Sequence, residues 1–142
     1  FKADKHSERG IAKAAAELTY AFANATVPKV NVVIGAAYGS AYVTMNSKAI
    51  GADMTFAWPT AEIGMMDARS AAKIMYPDAD AAVLNEKAAE YAGLQSNVTS
   101  AAKHGYVHII IEAEDTRKYV IGALEMLFTK REDRPAKKHG TV

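Results

Sequence analysis

The sequence predicts an α/β domain on three observations. Short apolar runs of strand length recur at residues 30–34, 54–58 and 106–111. Between and around them lie stretches whose apolar residues fall three and four positions apart, the period of a helix. Glycine and proline mark the junctions, at Pro28, Gly35, Gly51, Pro59 and Pro77. Strands alternating with helices are the pattern of the α/β class.

Taken in order, residues 7–25 predict a first helix, with Ile11, Ala15, Leu18 and Phe22 on one stripe and Lys13 and Glu17 off it. Pro28 stops it, because proline disfavours helical geometry in the residue before it. Residues 30–34, VNVVI, read as a strand buried on both faces. The chain breaks at Gly35, passes the small residues Ala36 and Ala37, and restarts as a helix at Gly39, Ser40 and Ala41. Gly51 is expected to end that helix in a left-handed conformation, where a missing Cβ avoids a clash. A second strand covers residues 54–58, followed by a turn at Pro59 and Thr60.

Asp67 N-caps a short helix over residues 67–75. A longer helix over residues 80–92 stops at Gly93. After Gln95, Ser96 and Asn97 a helix over residues 100–104 ends at Gly105, and residues 106–111 form a further strand. Asp115 or Thr116 caps a last helix to residue 129, striped by Val120, Leu124 and Leu127. Residues 1–130 then make one domain and residues 131–142 a basic, extended tail.

The bulk numbers bound this reading. A chain of 142 residues can bury one modest core. Half of it is hydrophobic, which excludes a disordered tail, and a formal charge of +1 with interspersed signs predicts neither a nucleic-acid nor a membrane-surface partner. With no cysteine there is no disulfide framework, thiolate metal site or cysteine nucleophile, and a reducing compartment, the cytoplasm, is the expectation. No apolar run reaches the roughly 20 residues that span a bilayer. The first residues, Phe1 to Asp4, show neither an initiator methionine nor a signal-like run. The expectation is a piece of a longer polypeptide. Three or four strands also leave edges and a face uncovered, so the sheet is expected to be partial.

The chemistry points to residues 30–68. A strand feeding a small-residue loop that opens a helix aims free N–H groups and the positive helix end at one spot. That geometry suits an oxygen carrying negative charge.

In this region AYGSAY at residues 37–42, then Ala52 and Asp53, then AWPTAEI at residues 57–63, resemble the biotin-dependent carboxyltransferases, the acyl-CoA carboxylase β-type subunits and related decarboxylase α-subunits. ATVPKV at residues 25–30 and the basic ending at residues 130–140 are similar as well, so the resemblance runs over residues 9–140. It implies a crotonase-like (ClpP/crotonase) fold and the C-terminal of two related halves, the half that receives carboxybiotin from a biotin carboxyl carrier. It further implies an N-terminal half holding the acyl-CoA, the two meeting in a homo-oligomer, with no nucleic acid involved.

In such an enzyme negative charge gathers on the ureido oxygen as carboxyl leaves biotin, and backbone donors stabilise it, each worth about 3–4 kcal/mol of barrier. By the resemblance, Ser40 and Ala41 supply those N–H donors and Gly39 the turn. Tyr38 and Tyr42 flank these small residues and either line the biotin or acyl pocket or belong to the core. Val43 stands where the family lines its acyl pocket, and Trp58 either lines the substrate pocket or supports the site from behind through the turn at Pro59. Ser40 departs from the family's more frequent glycine, and Gly35, Ala36 and Ala37 stand where a basic residue is often found. No side-chain nucleophile is needed.

Two other readings stand beside this one. Glu62, the one carboxylate of the central motif placed for acid–base work, would serve a biotin-independent enoyl-CoA hydratase or isomerase of the same fold. A non-catalytic oligomerisation fragment is the third. Asp53 and Asp67 read as capping or pairing groups, and the methionines as packing. His104 and His108 are separated by a helix end, so no metal site is expected. Lys137 and Lys138 read as a solvated tail.

Overall fold

A computed structural model describes residues 10–135. Helix α1 (Ile11–Asn24) leads into β1 (Val30–Val33), which pairs in parallel with β3 (Met54–Ala57) in the register Val30↔Met54 to Val33↔Ala57. Strand β5 (Ile109–Ile110) adds to the other side of β3, giving a parallel sheet of order β1-β3-β5. A second parallel sheet pairs β2 (Ala36–Tyr38) with β4 (Glu62–Gly64). The connections are α2 (Gly39–Thr44), α3 (Ala68–Met75), α4 (Ala81–Tyr91), α5 (Val98–Lys103) and α6 (Thr116–Met126). Among the described residues no helix is long and apolar enough to cross a membrane.

The α/β class agrees with expectation, and several elements differ from it. The start of the first helix, residues 7–9, lies outside the described residues, as do Lys137 and Lys138. Strand β1 is half-buried rather than buried on both faces, and Ile34 lies outside it, 54% exposed. The helix opened by Gly39 ends at Thr44, and Gly51 (φ 99) instead closes a separate 3-10 turn, Lys48–Ile50. Gly93 does not stop α4. The chain runs on through a π-helical turn, Ala92–Ser96, which Asn97 closes by donating its side-chain amide to the Gly93 carbonyl. The last strand shrinks to two residues, and α6 buries Ala123 while Leu124 stays exposed. Asp67 does cap α3, accepting from the Ser70 amide at 3.1 Å, and Gly105 (φ 79) does follow α5.

Two apolar clusters flank the larger sheet. Val33, Ala57, Ala61, Ile63, Val98, Ala101 and Val107 form one, against which Tyr42 packs. Phe56, Ile111 and Ala123 form the other, with Tyr119 edge-on to Phe56 at 5.7 Å. Burying a side chain such as Phe56 contributes about 1.5–3 kcal/mol.

The amino ends of β1 and β3 are held by charge. Asp53 accepts from the Lys29 amide at 2.7 Å and from Lys130 Nζ, while the buried Lys29 Nζ donates to the Phe22 carbonyl at 2.8 Å. Asp53 is thus a pairing group, as its sequence context suggested.

Candidate functional site

At the opposite, carboxyl ends of β1 and β3 the chain passes into the small sheet. The Trp58 amide donates to the Val33 carbonyl at 2.9 Å and the Glu62 amide to Gly35 at 3.2 Å, so β2 and β4 follow directly from the large sheet. Their ladder ends at Tyr38↔Gly64. Gly39 then takes φ 57, and a Cβ there would stand 3.0 Å from the Met65 carbonyl oxygen. Only glycine fits that left-handed, close-packed position without strain.

Helix α2 begins at once. The Ser40 and Ala41 amides therefore lie past the end of the ladder and in the first turn of the helix, where no i−4 acceptor exists inside it. Gly39 and Ser40 border a cavity of about 540 Å³, within the range of small-molecule sites of roughly 300–1,000 Å³. Gly39, Ser40, Tyr42, Val43 and Ala49 form one wall, Ile63, Gly64 and Met65 a second, and Tyr91, Gln95, Ala101, His104 and Tyr106 the rest.

Of the residues singled out in the sequence, the structure brings Gly39, Ser40, Tyr42 and Val43 to the cavity. Ala41 follows Ser40 in the helix without lining it. Tyr38 and Trp58 are placed elsewhere. Tyr38 turns its hydroxyl to the Glu62 carboxylate, and Trp58 packs on the Phe56 cluster with Nε1 donating to Thr116 Oγ1 at 2.9 Å. Glu62 is exposed, bonded to Tyr38, and outside the lining. The Tyr42 hydroxyl is buried with no partner among the described residues, and its burial, together with the neighbouring Tyr106, raises its pKa. His104 stacks on Tyr106 at 6.2 Å, and its ring nitrogen lies 2.8 Å from the Ser100 carbonyl.

Tyr91, Gln95, His104 and Tyr106 escaped the sequence reading because they come to the cavity from segments far along the chain from the central motif. Of these only Gln95 lies in the π-helical turn, a feature that recurs at functional sites. His108 is taken up structurally, its Nδ1 accepting from the Thr55 amide at 3.0 Å. Among the described residues no three His, Asp or Glu side chains converge as metal ligands would.

The carboxyl transferase domain family matches residues 3–142. The chain belongs to that family. It is 46% identical over 143 residues to the propionyl-CoA carboxylase beta chain of Saccharopolyspora erythraea, across 94% of this chain and 26% of that protein. It is 42% identical over 137 residues to the methylmalonyl-CoA carboxyltransferase 12S subunit of Propionibacterium freudenreichii subsp. shermanii, across 92% of this chain and 26% of that one. Among solved structures, transcarboxylase 12S, described as a hexamer assembly with hydrolysed methylmalonyl-coenzyme A bound, aligns at 41% identity with a TM-score of 0.91. That alignment covers 99% of this chain and 28% of that one. The carboxyl transferase fold here is thus crotonase-like, and the chain spans about a quarter of the length of these relatives.

Proposed function

We propose that the chain is part of a carboxyltransferase component that moves CO2 between carboxybiotin and the α-carbon of an acyl-CoA. The observation that carries this is that Ser40, which follows the end of a ladder and opens a helix, is one of the residues lining the cavity. The names of the relatives, which act on propionyl-CoA and methylmalonyl-CoA, support it.

The residues fit biotin. Apolar Val43, Ile63 and Ala101 would hold a ring system, and the Ser40 amide offers a donor at one edge, with the Ala41 amide next in the chain. Carboxybiotin enters as a substrate on a separate carrier protein, and losing its carboxyl group leaves negative charge on the ureido oxygen. The two amides stabilise that charge, each contributing about 3–4 kcal/mol where water is excluded. Gly39 sets their direction, since its φ of 57 turns the chain out of β2. Tyr42 and Val43 shape the wall beside them.

The acyl-CoA would be held by an N-terminal half, with residues 1–130 forming the C-terminal half and residues 131–142 a basic tail. A homo-oligomer is in keeping with the hexamer of transcarboxylase 12S. A cytoplasmic setting fits the cysteine-free sequence. The hydratase reading is weaker, because its required carboxylate, Glu62, is bonded to Tyr38 and does not line the cavity.

Free-biotin-dependent decarboxylation of a malonyl-type CoA ester tests the proposal. The chain alone is expected to be inactive, and active once the N-terminal half is supplied. Turnover of the reconstituted pair that is independent of biotin would overturn it.

A further inference from the structure

Three walls of the cavity are linked to one residue, Glu62, which does not itself line the cavity. The Glu62 side chain accepts the Tyr38 hydroxyl, and Tyr38 immediately precedes Gly39 and Ser40. Its backbone forms an isolated antiparallel bridge with Asn97. Asn97 in turn closes the π turn that carries Gln95 and caps α5, accepting from the Ser100 amide at 2.7 Å. Along the chain, Glu62 leads through Ile63 and Gly64 to Met65, whose carbonyl oxygen abuts Gly39.

The contact is diagonal. In the ladder Tyr38 faces Gly64, and a Cβ on Gly64 would lie 3.9 Å from Tyr38 Cδ1, so the tyrosine ring crosses the bare glycine to reach Glu62. A sheet of two three-residue strands has little ladder to hold it. The side-chain bond spans this ladder at Tyr38, the last residue of β2 and the one before the amide-bearing turn.

We propose that Tyr38 and Glu62 are a positioning pair for residues 39–41, acting through the small sheet rather than on a ligand. Burial and the Glu62 hydrogen bond raise the Tyr38 pKa, which keeps its hydroxyl a donor. The proposal rests on the reading of Ser40 and Ala41 as the oxyanion donors.

The test uses the full natural polypeptide that contains this chain, with its carrier, and the variants Tyr38→Phe, Glu62→Ala, Glu62→Gln and the Phe/Ala double. Displaced donors are expected to lower kcat about tenfold for Tyr38→Phe and for Glu62→Ala. Glu62→Gln, whose amide oxygen still accepts, should recover to within about threefold of wild type, and the double variant should fall no further than either single one. Independently of activity, deuterium uptake by a peptide spanning residues 38–44 should rise in Tyr38→Phe and Glu62→Ala and stay at the wild-type level in Glu62→Gln. Unchanged uptake, additive losses, or a Glu62→Gln variant as impaired as Glu62→Ala would overturn the pair. Biotin-independent turnover of the wild type would instead overturn the carboxyltransferase reading, leaving uptake to decide the pair.

Discussion

Lys130 Nζ donates to both carboxylate oxygens of Asp53, at 2.8 and 2.9 Å, and so ties the chain just beyond α6 to the entry of β3. Both side chains are mostly buried, at 15% and 19% exposure, so the pair is less screened than a surface ion pair.

Asp53 links stability to pH. Burial alone would raise its pKa, but the hydrogen bonds from Lys130 and the Lys29 amide outweigh that and hold the carboxyl below its ordinary range. A depressed folded-state value means the contribution is complete above the unfolded carboxylate's value, about 3.9, and is lost as pH falls through the folded value. Asp53→Asn is expected to cost about 1–3 kcal/mol at neutral pH. Urea unfolding should show that difference from wild type shrinking as the pH is taken below 4; a gap that stays constant would refute the assignment.

Gly39→Ala puts a Cβ 3.0 Å from the Met65 carbonyl oxygen at a φ of 57. The left-handed conformation alone costs about 1–2 kcal/mol for a residue with a side chain. Denaturant unfolding should register at least that loss, and ligand binding in the cavity should weaken further as β2 and β4 part. Gly93→Ala, at a position with open space and no positive φ, is the control and should be neutral or slightly stabilising.

Trp58→Phe separates packing from pocket lining. It removes the Nε1 donor to Thr116 Oγ1, a loss of about 1 kcal/mol in stability. Thr116→Val should cost a similar amount, and the two together should be less than additive. Calorimetric titration should find biotin affinity unchanged in Trp58→Phe, since Trp58 lies outside the cavity lining. A weakened affinity would return Trp58 to the pocket.

What was legible in the sequence was local. Asp67 and Gly105 act where their own side chain, or lack of one, dictates the backbone, and the apolar runs at Val30 and Met54 specify strands by composition. Strands β2 and β4 were not legible. Ala36 and Ala37 carry no β-branched signal, and the three-residue EIG segment follows a turn too closely to show alternation. Gly93 misled for a related reason. It has the residue type of a helix stop, but Asn97 satisfies its carbonyl from the next element, so the helix continues. Of Val120, Leu124 and Leu127, the first and last are half-buried on the face of Ala123 while Leu124 is exposed, because spacing gives a stripe without saying where its buried centre falls.

The site was legible on one side only. Gly39, Ser40, Tyr42 and Val43 sit in one motif, whereas His104 and Tyr106 meet them through folding. Tyr38 and Trp58 have the size and position of lining residues, but each has a stronger claim on its ring from a neighbour, Glu62 and Thr116 respectively.

Because β1, β3 and β5 all run the same way, the Asp53 tether and the amide-bearing turn stand at opposite poles of one short slab. Changes in what the cavity admits can rework one pole through Val43, Gln95 or Tyr106 while the anchorage at the other goes untouched. A lineage built this way is free to diversify in what it accepts without first renegotiating how it holds its shape.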